Sequence, residues 1–212
     1  MRIARLACFG CLAFATALLA PPARALPVQY GSNYYEYVAG AGISWNAAKT
    51  AAAAMSFNTA AGHLAIVTSG GENTFLKSLI ATFGGFAGAW LGGDVNASGA
   101  GFWRVGPENG QQFSQGGGSF GGMYENWGGI EPNNGATGGG PSAAYMNIGP
   151  LFAGIATEQW ADAALGLSHP SNDPIQGYFV EYEFAAVPEP LGIALLGLAA
   201  VAVRRMRRGR AA

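Results

Sequence analysis

The sequence predicts an α+β domain with two helices near its start, short strands after them and long glycine-rich loops. Two segments have apolar residues at helical spacing, and both lie before residue 84. Beyond them only short strand-like segments occur, separated by turns. Glycine accounts for 34 of the 212 residues and is densest in the loops 116–122 and 135–140. Helices followed by a run of strands are typical of the α+β class.

Each predicted helix begins at a serine that can cap its first turn. Ser44 precedes a segment with one apolar face, which consists of Trp45, Ala48, Ala52 and Met55. Ser69 opens the sequence Ser-Gly-Gly-Glu, which ends at Glu72 and has the form of a capping box. The apolar face of this second helix consists of Phe75, Leu76, Leu79, Ile80 and Phe83. We therefore expect two amphipathic helices packed on a single core.

The strand candidates are short and rich in β-branched and aromatic residues. Residues 34–38 precede the first helix, and residues 63–67 precede the second. The later candidates are 89–92, 102–105, 144–148, 159–162 and 178–184. Tryptophan commonly anchors a small β-rich core. We expect this role, rather than sugar stacking, for Trp90, Trp103, Trp127 and Trp160.

The charge distribution divides the chain into three parts. Of the eleven basic residues, three lie in residues 1–25 and five in residues 187–212, and those two segments together hold one of the twelve acidic residues. Residues 26–186 therefore carry a net charge of −8. A domain of this charge is suited to binding cations and repels the phosphates of nucleic acids and anionic lipids. We expect no nucleic-acid partner.

An ordered series of motifs extends over most of the central domain. It comprises 45–48 (Trp-Asn-Ala-Ala), 62–69 (Gly-His-Leu-Ala-Ile-Val-Thr-Ser), 72–76 (Glu-Asn-Thr-Phe-Leu), 90–93 (Trp-Leu-Gly-Gly), 102–103 (Phe-Trp), 127–133 (Trp-x-x-x-Glu-Pro-Asn), 160–162 (Trp-Ala-Asp) and 177–183 (Gly-Tyr-Phe-Val-Glu-Tyr-Glu). No single motif is specific, but the ordered series resembles the C-type lectin-like domain. This resemblance implies two helices, short antiparallel strands and a long irregular loop region within residues 26–186.

The segment Glu131-Pro132-Asn133 carries the predicted ligand site. A carboxylate and an amide oxygen two residues apart can converge on one hard cation if the chain turns sharply, and proline makes a cis peptide accessible. In the family that the chain resembles, this proline is cis and the two side chains bind calcium and two vicinal sugar hydroxyls, of mannose or glucose type. Asp162 matches the remote aspartate ligand of the family. The resemblance thus implies that Glu131, Asn133 and Asp162 bind both calcium and carbohydrate.

Two positions depart from the family pattern and weaken the predicted calcium site. Ala161 stands where the family usually has asparagine, and Ser142 or a nearby small residue stands where a further glutamate is expected. Calcium takes about six to eight oxygens, so waters, carbonyls or Glu158 must complete its shell. We expect affinity of about 10⁻⁴ to 10⁻³ M at best, or none. The departures favour an alternative, in which the same fold presents its glycine-rich loops to a protein partner without metal.

The histidines and cysteines do not indicate catalysis. His63 and His169 are far apart in the sequence, so we predict neither a metal site nor a catalytic dyad from them. Cys8 and Cys11 both lie in residues 1–25, which leaves the domain without a thiolate nucleophile or a disulfide framework. We therefore predict a binding module rather than an enzyme, with carbohydrate as its leading ligand.

The N-terminal segment has the features of a secretory signal peptide. Arg2 and Arg5 form a basic region, residues 6–20 are apolar, and Ala23-Arg24-Ala25 is a small-x-small cleavage site. We predict cleavage after Ala25 and export of the domain across the inner membrane.

The C-terminal segment combines Pro188-Glu189-Pro190, an apolar run from Leu191 to Val203 and a cluster of arginines at 204–210. A helix over that run would reach about 20 Å, less than a bilayer core of about 30 Å, which favours a temporary anchor. The arginines are expected to stay cytoplasmic. The combination resembles the PEP-CTERM sorting signal of Gram-negative bacteria. This resemblance implies a precursor held in the inner membrane, cut near Pro188, Glu189 and Pro190 by an exosortase, and a mature form at the cell envelope or secreted. The expected partner there is a polysaccharide or an envelope protein. The alternative to a sorting signal is an ordinary tail anchor.

Overall fold

A computed structural model describes residues 26–80, 87–133, 141–150, 154–165 and 175–184. The predicted signal peptide, the sorting signal with its apolar run, the loop 135–140, Phe83 and His169 lie outside the described residues. Within the described ranges, no helix is long and apolar enough to cross a membrane.

Two helices and eleven strands make up the described part of the chain. The helices are α1 (Trp45–Ala53) and α2 (Gly70–Ser78). The strands are β1 (Val28–Tyr30), β2 (Asn33–Ala39), β3 (Ser56–Phe57), β4 (Ala60–Leu64), β5 (Gly88–Val95), β6 (Ala100–Trp103), β7 (Gln112–Gln115), β8 (Gly118–Ser119), β9 (Ser142–Asn147), β10 (Trp160–Ala164) and β11 (Ile175–Tyr182). This order confirms the α+β class.

Strand β11 joins the two halves of the sheet. The main path runs β1-β2-β11-β5-β6-β7-β8, and β11 is antiparallel to β2 and parallel to β5. β4 pairs with β11, and the β9–β10 hairpin adds to β5 through β9. Strand β2, near the N-terminus of the domain, therefore lies beside the C-terminal strand β11, and β9 lies between β5 and β10.

Both serine caps are present, but both helices end earlier than predicted. The Ser44 side chain accepts from Ala47 N at 3.3 Å, and the Ser69 side chain accepts from Glu72 N at 3.2 Å. Glu72 does not complete a capping box, because its carboxylate accepts from the backbone and hydroxyl of Thr68. The residues past the helix ends, which are Met55, Leu79 and Ile80, are partly buried against the core.

The predicted strand 63–67 is shifted. β4 runs from Ala60 to Leu64, and the buried residues after it leave the ladder. Their backbone groups bond elsewhere: Ala65 N donates to Phe179 O at 2.9 Å, and Ile66 N donates to Glu181 Oε2 at 3.0 Å. Apolar periodicity detected the burial of this segment but could not reveal that a carboxylate takes the place of a strand partner.

Tryptophans fill the interior, as predicted. Trp90, Trp103 and Trp160 are fully buried and Trp127 is 9% exposed. Trp103 stacks on Phe113 with ring centroids 4.3 Å apart, and Trp160 packs edge-on against both rings and against Trp127. Edge-to-face aromatic packing of this kind adds to the free energy gained by burying the rings. A dense aromatic core therefore supports the strand that carries Asp162.

Candidate ligand site at the Glu-Pro-Asn loop

The chain that leads to Glu131 is held against β10 by its backbone. Trp160 N donates to Asn126 O at 2.7 Å, and Gly128 N donates to Trp160 O at 2.9 Å. Glu131 N then donates to Gly128 O at 2.9 Å, which closes a turn. This arrangement brings the loop next to the strand on which Asp162 lies two residues beyond Trp160.

Glu131, Asn133 and Asp162 come together, and the Glu131–Pro132 peptide is cis. Asn133 N lies 2.8 Å from Asp162 Oδ1 and 3.1 Å from Glu131 Oε2. Asn133 Nδ2 donates to Glu131 Oε1 at 2.8 Å. We call these three residues the Glu-Pro-Asn site. Its members converge on one point although Asp162 is 29 residues from Asn133 in the chain.

Ser142 has a role in the site that the sequence did not indicate. Its hydroxyl donates to Asp162 Oδ2, and both residues are almost fully buried. The β9–β10 pairing sets this contact, because Ser142 is opposite Ala164, two residues along the strand from Asp162. Serine therefore replaces the expected glutamate with a neutral donor that orients the aspartate.

Gly117, at the β7–β8 turn, is a second residue that sequence reasoning missed. Its φ is +81°, and a Cβ there would lie 2.6 Å from Glu131 O. A side chain of any size would push the loop away from the turn. The glycine-rich segment 116–122 thus packs closely against the Glu-Pro-Asn site.

The site is electrostatically strained without a cation. Burial raises the pKa of the Glu131 carboxyl above its ordinary value of 4.5, and the adjacent Asp162 raises this pKa further. Two carboxylates this close cannot both ionise at low cost unless a proton or a cation lies between them. Asp162 itself is 4% exposed, so water screens the pair poorly. The arrangement therefore favours the binding of positive charge.

The oxygens present fit calcium in part. Glu131, Asp162, the Asn133 amide and the Ser142 hydroxyl supply oxygens of the hard type that calcium prefers. Ala161 is buried and offers only a methyl group. The Glu158 carboxylate accepts from Thr74 Oγ1 at 2.8 Å on α2, so it does not complete this shell in the observed arrangement. Four side chains give fewer firm ligands than the about six to eight oxygens of a tight site.

Several solved structures are similar to this chain in fold. CEL-IV shares 20% identity with a TM-score of 0.51, over 80% of this chain and 98% of that one. The C-type lectin CEL-I from Cucumaria echinata shares 16% identity with a TM-score of 0.45, over 74% and 94%. The structure of SPL-1 in complex with GlcNAc shares 18% identity with a TM-score of 0.47, over 74% of this chain and 92% of that one.

No protein-family model matches the sequence, and no curated protein matches it. The likeness therefore concerns architecture. Two capped helices, the pairing of β2 with β11 and a long loop region carried on the β9–β10 hairpin give this chain the C-type lectin-like fold.

Proposed function

We propose that this protein is a carbohydrate-binding module whose ligand site is formed by Glu131, Asn133 and Asp162. One observation carries the proposal: the loop and β10 bring the three residues together, with Asn133 Nδ2 at Glu131 Oε1 and the Asn133 backbone N at Asp162 Oδ1. A paired carboxylate and amide can each engage a sugar hydroxyl, the carboxylate as acceptor and the amide as donor or acceptor. The proposed ligand is a polysaccharide with vicinal hydroxyls.

A calcium ion, when bound, would supply a positive centre that neutralises the carboxylates and coordinates sugar hydroxyls. The residues that would hold it are Glu131, Asn133 and Asp162. Ser142 keeps Asp162 oriented, and the close packing of Gly117 keeps the Glu131 turn in place. Because few firm ligands are present, we propose weak binding, at about 10⁻⁴ to 10⁻³ M.

An apolar side chain stands at the edge of the site. Ile130, which directly precedes Glu131, is 86% exposed. The four tryptophans considered above are buried, so they do not offer a stacking surface. We propose that Ile130 packs against the C–H face of the sugar, since apolar contact there would remove surface from water.

Calorimetric titration of calcium into the purified protein tests the proposal. We expect saturable binding near millimolar concentration that is lost in Asp162→Ala. Binding should be retained in Asp94→Ala, the control, which removes an aspartate that pairs with Arg104. Retention on immobilised polysaccharide should then be reversed by EDTA. Absence of heat up to roughly 10 mM calcium, above the range of extracellular modules, would end the calcium mechanism.

A second function has support of its own. The carboxylates of the Glu-Pro-Asn site already accept hydrogen bonds from Asn133 and Ser142, and Ala161 removes one ligand of the family pattern. A metal-independent interaction module would use the same loops to bind an envelope protein. In that case ligand retention would be indifferent to EDTA and to Asp162→Ala.

We further propose export and C-terminal processing from the sequence of the two termini. Mass spectrometry of the mature protein should find Leu26 as its first residue. It should also find a C-terminus near Pro188–Pro190 when an exosortase is present. A mature protein that retains the arginine cluster in such cells would contradict the sorting proposal and support an ordinary tail anchor.

A further inference from the structure

Strand pairing places His63 beside two glutamates. In the antiparallel pairing of β4 with β11, His63 is directly opposite Glu181. Glu181 and Glu183 are two residues apart, which is the spacing that puts side chains on one face of an extended chain. Ligand atoms of the three side chains lie within 4.8 Å of one another, and His63 Nε2 is 4.0 Å from Glu183 Oε2. Strand pairing therefore gives His63 carboxylate neighbours that its separation from His169 in the sequence could not reveal. We call these three residues the His63 cluster.

The imidazole is in the state that binds metals. His63 Nδ1 lies 2.9 Å from the Leu64 carbonyl oxygen, which can only accept, so Nδ1 carries the hydrogen and Nε2 keeps its lone pair. Nε2 is buried and has no hydrogen-bond partner. Burial lowers the pKa of His63, so the ring is neutral at physiological pH. A neutral ring fixed by a backbone carbonyl at its other nitrogen is the usual form of a histidine ligand.

The glutamate opposite His63 is held in place by three neighbours. Glu181 Oε1 accepts from Asn33 Nδ2 at 2.7 Å and from Tyr35 Oη at 2.8 Å, and its Oε2 accepts from Ile66 N. Each carboxylate oxygen has two lone pairs, so these bonds leave room for coordination. Burial raises the pKa of Glu181 to about 8 and that of Glu183 to about 7, and the charges of neighbouring carboxylates add to both shifts.

A further carboxylate lies beside the glutamates of the cluster. Glu108 lines a cavity of about 190 Å³ together with Glu181 and Glu183. Its Oε2 is buried and, like His63 Nε2, has no hydrogen-bond partner. The Glu108 charge opposes the lowering of the His63 pKa by burial, and it adds to the raising of the Glu183 pKa by burial. Gly106, on the same loop, packs against the His63 ring, since a Cβ there would lie 3.1 Å from Nε2.

We propose that His63, Glu181 and Glu183, with Glu108 as a fourth ligand, bind a divalent transition-metal ion such as zinc. One nitrogen with carboxylate oxygens suits zinc better than calcium, which takes oxygen ligands. A zinc ion with bonds of about 2.0 to 2.2 Å holds neighbouring ligand atoms about 3 to 3.5 Å apart. The side chains would therefore close by roughly 1 Å on the ion. The site is independent of the Glu-Pro-Asn site and of the proposed sugar ligand.

Zinc titration of the EDTA-treated, dialysed protein tests this inference. We expect one zinc ion per chain by calorimetry and a higher midpoint of thermal unfolding with zinc. Cobalt(II), used in place of zinc, should give the visible absorption of a four-coordinate ion. His63→Gln and Glu183→Gln should each weaken zinc binding about 100-fold or more, whereas Asp162→Ala should leave it unchanged.

Results other than these would overturn the proposal. Zinc affinity that is unchanged in both variants would place any bound ion elsewhere. Calcium binding at the cluster with no preference for zinc would refute the assigned metal class. If His63→Gln does not fold, Glu183→Gln decides alone, because Glu183 retains 23% side-chain exposure and is not a core residue. The zinc proposal also fails if wild type binds no zinc and if, without metal, wild type and folded Glu183→Gln unfold at equal midpoints.

Discussion

The Glu-Pro-Asn site and the His63 cluster gather carboxylates in different ways. In the first, a loop with a cis peptide reaches β10 and is fastened there by Asn133 and by the backbone of Gly128. In the second, the paired strands β4 and β11 carry His63 and Glu181, so the strand register itself sets the positions of these two residues. The first site therefore depends on how the loop packs against β10, whereas the second depends on the pairing of β4 with β11.

The two sites also differ in what already satisfies their polar atoms. Asp162 accepts hydrogen bonds at both oxygens from Asn133 and Ser142. By contrast, His63 Nε2 in the cluster and the nearby Glu108 Oε2 are buried without a hydrogen-bond partner. Leaving a buried polar atom unpaired costs free energy, and a bound ion removes that cost. The Glu-Pro-Asn site is therefore the better satisfied internally, and the His63 cluster has the greater need of a ligand.

Disrupting the pairing of β11 should affect both sites at once, and it should give the largest loss of stability among these variants. In Gly177→Ala the new Cβ would lie 2.2 Å from Val38 O and 2.7 Å from Tyr37 Oη, across the β2–β11 pair. We expect the free energy of unfolding to fall by about 3 kcal/mol, the upper end of overpacking costs. Urea denaturation measures this, with Gln176→Ala as the neighbouring control. A Gly177→Ala midpoint equal to that of the control would show that the strands can separate freely there.

Removing the Ser142 hydroxyl should affect the Glu-Pro-Asn site alone. Ser142→Ala deprives the buried Asp162 carboxylate of a donor, and we expect a loss of about 2 kcal/mol in the free energy of unfolding. Ser114→Ala is the matched control, because the Ser114 hydroxyl is buried without a partner and its loss should cost little. Calcium affinity should weaken in the first variant and zinc affinity in neither. Equal stability of the two variants would contradict the role assigned to Ser142.

Two glycine substitutions should separate the sites. Gly117→Ala and Gly106→Ala both put a side chain at positive φ, of +81° and +64°, and each should cost about 1 to 2 kcal/mol. The first new Cβ meets Glu131 O and the second meets the His63 ring. Calorimetry should therefore find calcium binding reduced only by Gly117→Ala and zinc binding reduced only by Gly106→Ala. Loss of both metals in either variant would mean that the sites are coupled.

The pH dependence of stability should be the smallest effect. Burial raises the folded-state pKa of Glu131 and Glu183 above the ordinary value of 4.5, so the folded chain binds protons that the unfolded chain has released. In EDTA the free energy of unfolding should therefore fall as pH rises above 4.5, and for Glu183 this fall ends near its pKa of about 7. Glu131→Gln and Glu183→Gln should each flatten the curve of urea midpoint against pH. A curve as steep as that of wild type in both variants would disprove these assignments.

Local patterns predicted the helices and the buried core, and the resemblance to the C-type lectin-like domain implied the members of the Glu-Pro-Asn site. Serine caps and apolar spacing are properties of a few consecutive residues, which is why α1 and α2 were found with starts close to those observed. Tryptophan burial follows from side-chain size. The ligand residues came from the order of the motifs, and Asn133 and Asp162 do meet.

Strand register and long-range contacts could not be predicted in the same way. The strand prediction at 63–67 missed the shift because the Glu181 carboxylate accepts from Ile66 N, from 115 residues away. From the sequence, Ser142 was interpreted only as the loss of a glutamate ligand. The β9–β10 pairing places its hydroxyl where it donates to Asp162. Two-residue strands such as β3 and β8 are too short to show apolar alternation.

The sequence by itself determined the α+β class, the aromatic core and the oxygen-rich loop at Glu131, because capping, apolar periodicity and residue size act over short stretches of chain. Only the tertiary structure decided that His63 lies opposite Glu181, and that Gly117 packs on the turn at Glu131. Such contacts depend on which strands pair and in which register. A shift of one residue in that register would turn the His63 side chain to the other face of the sheet.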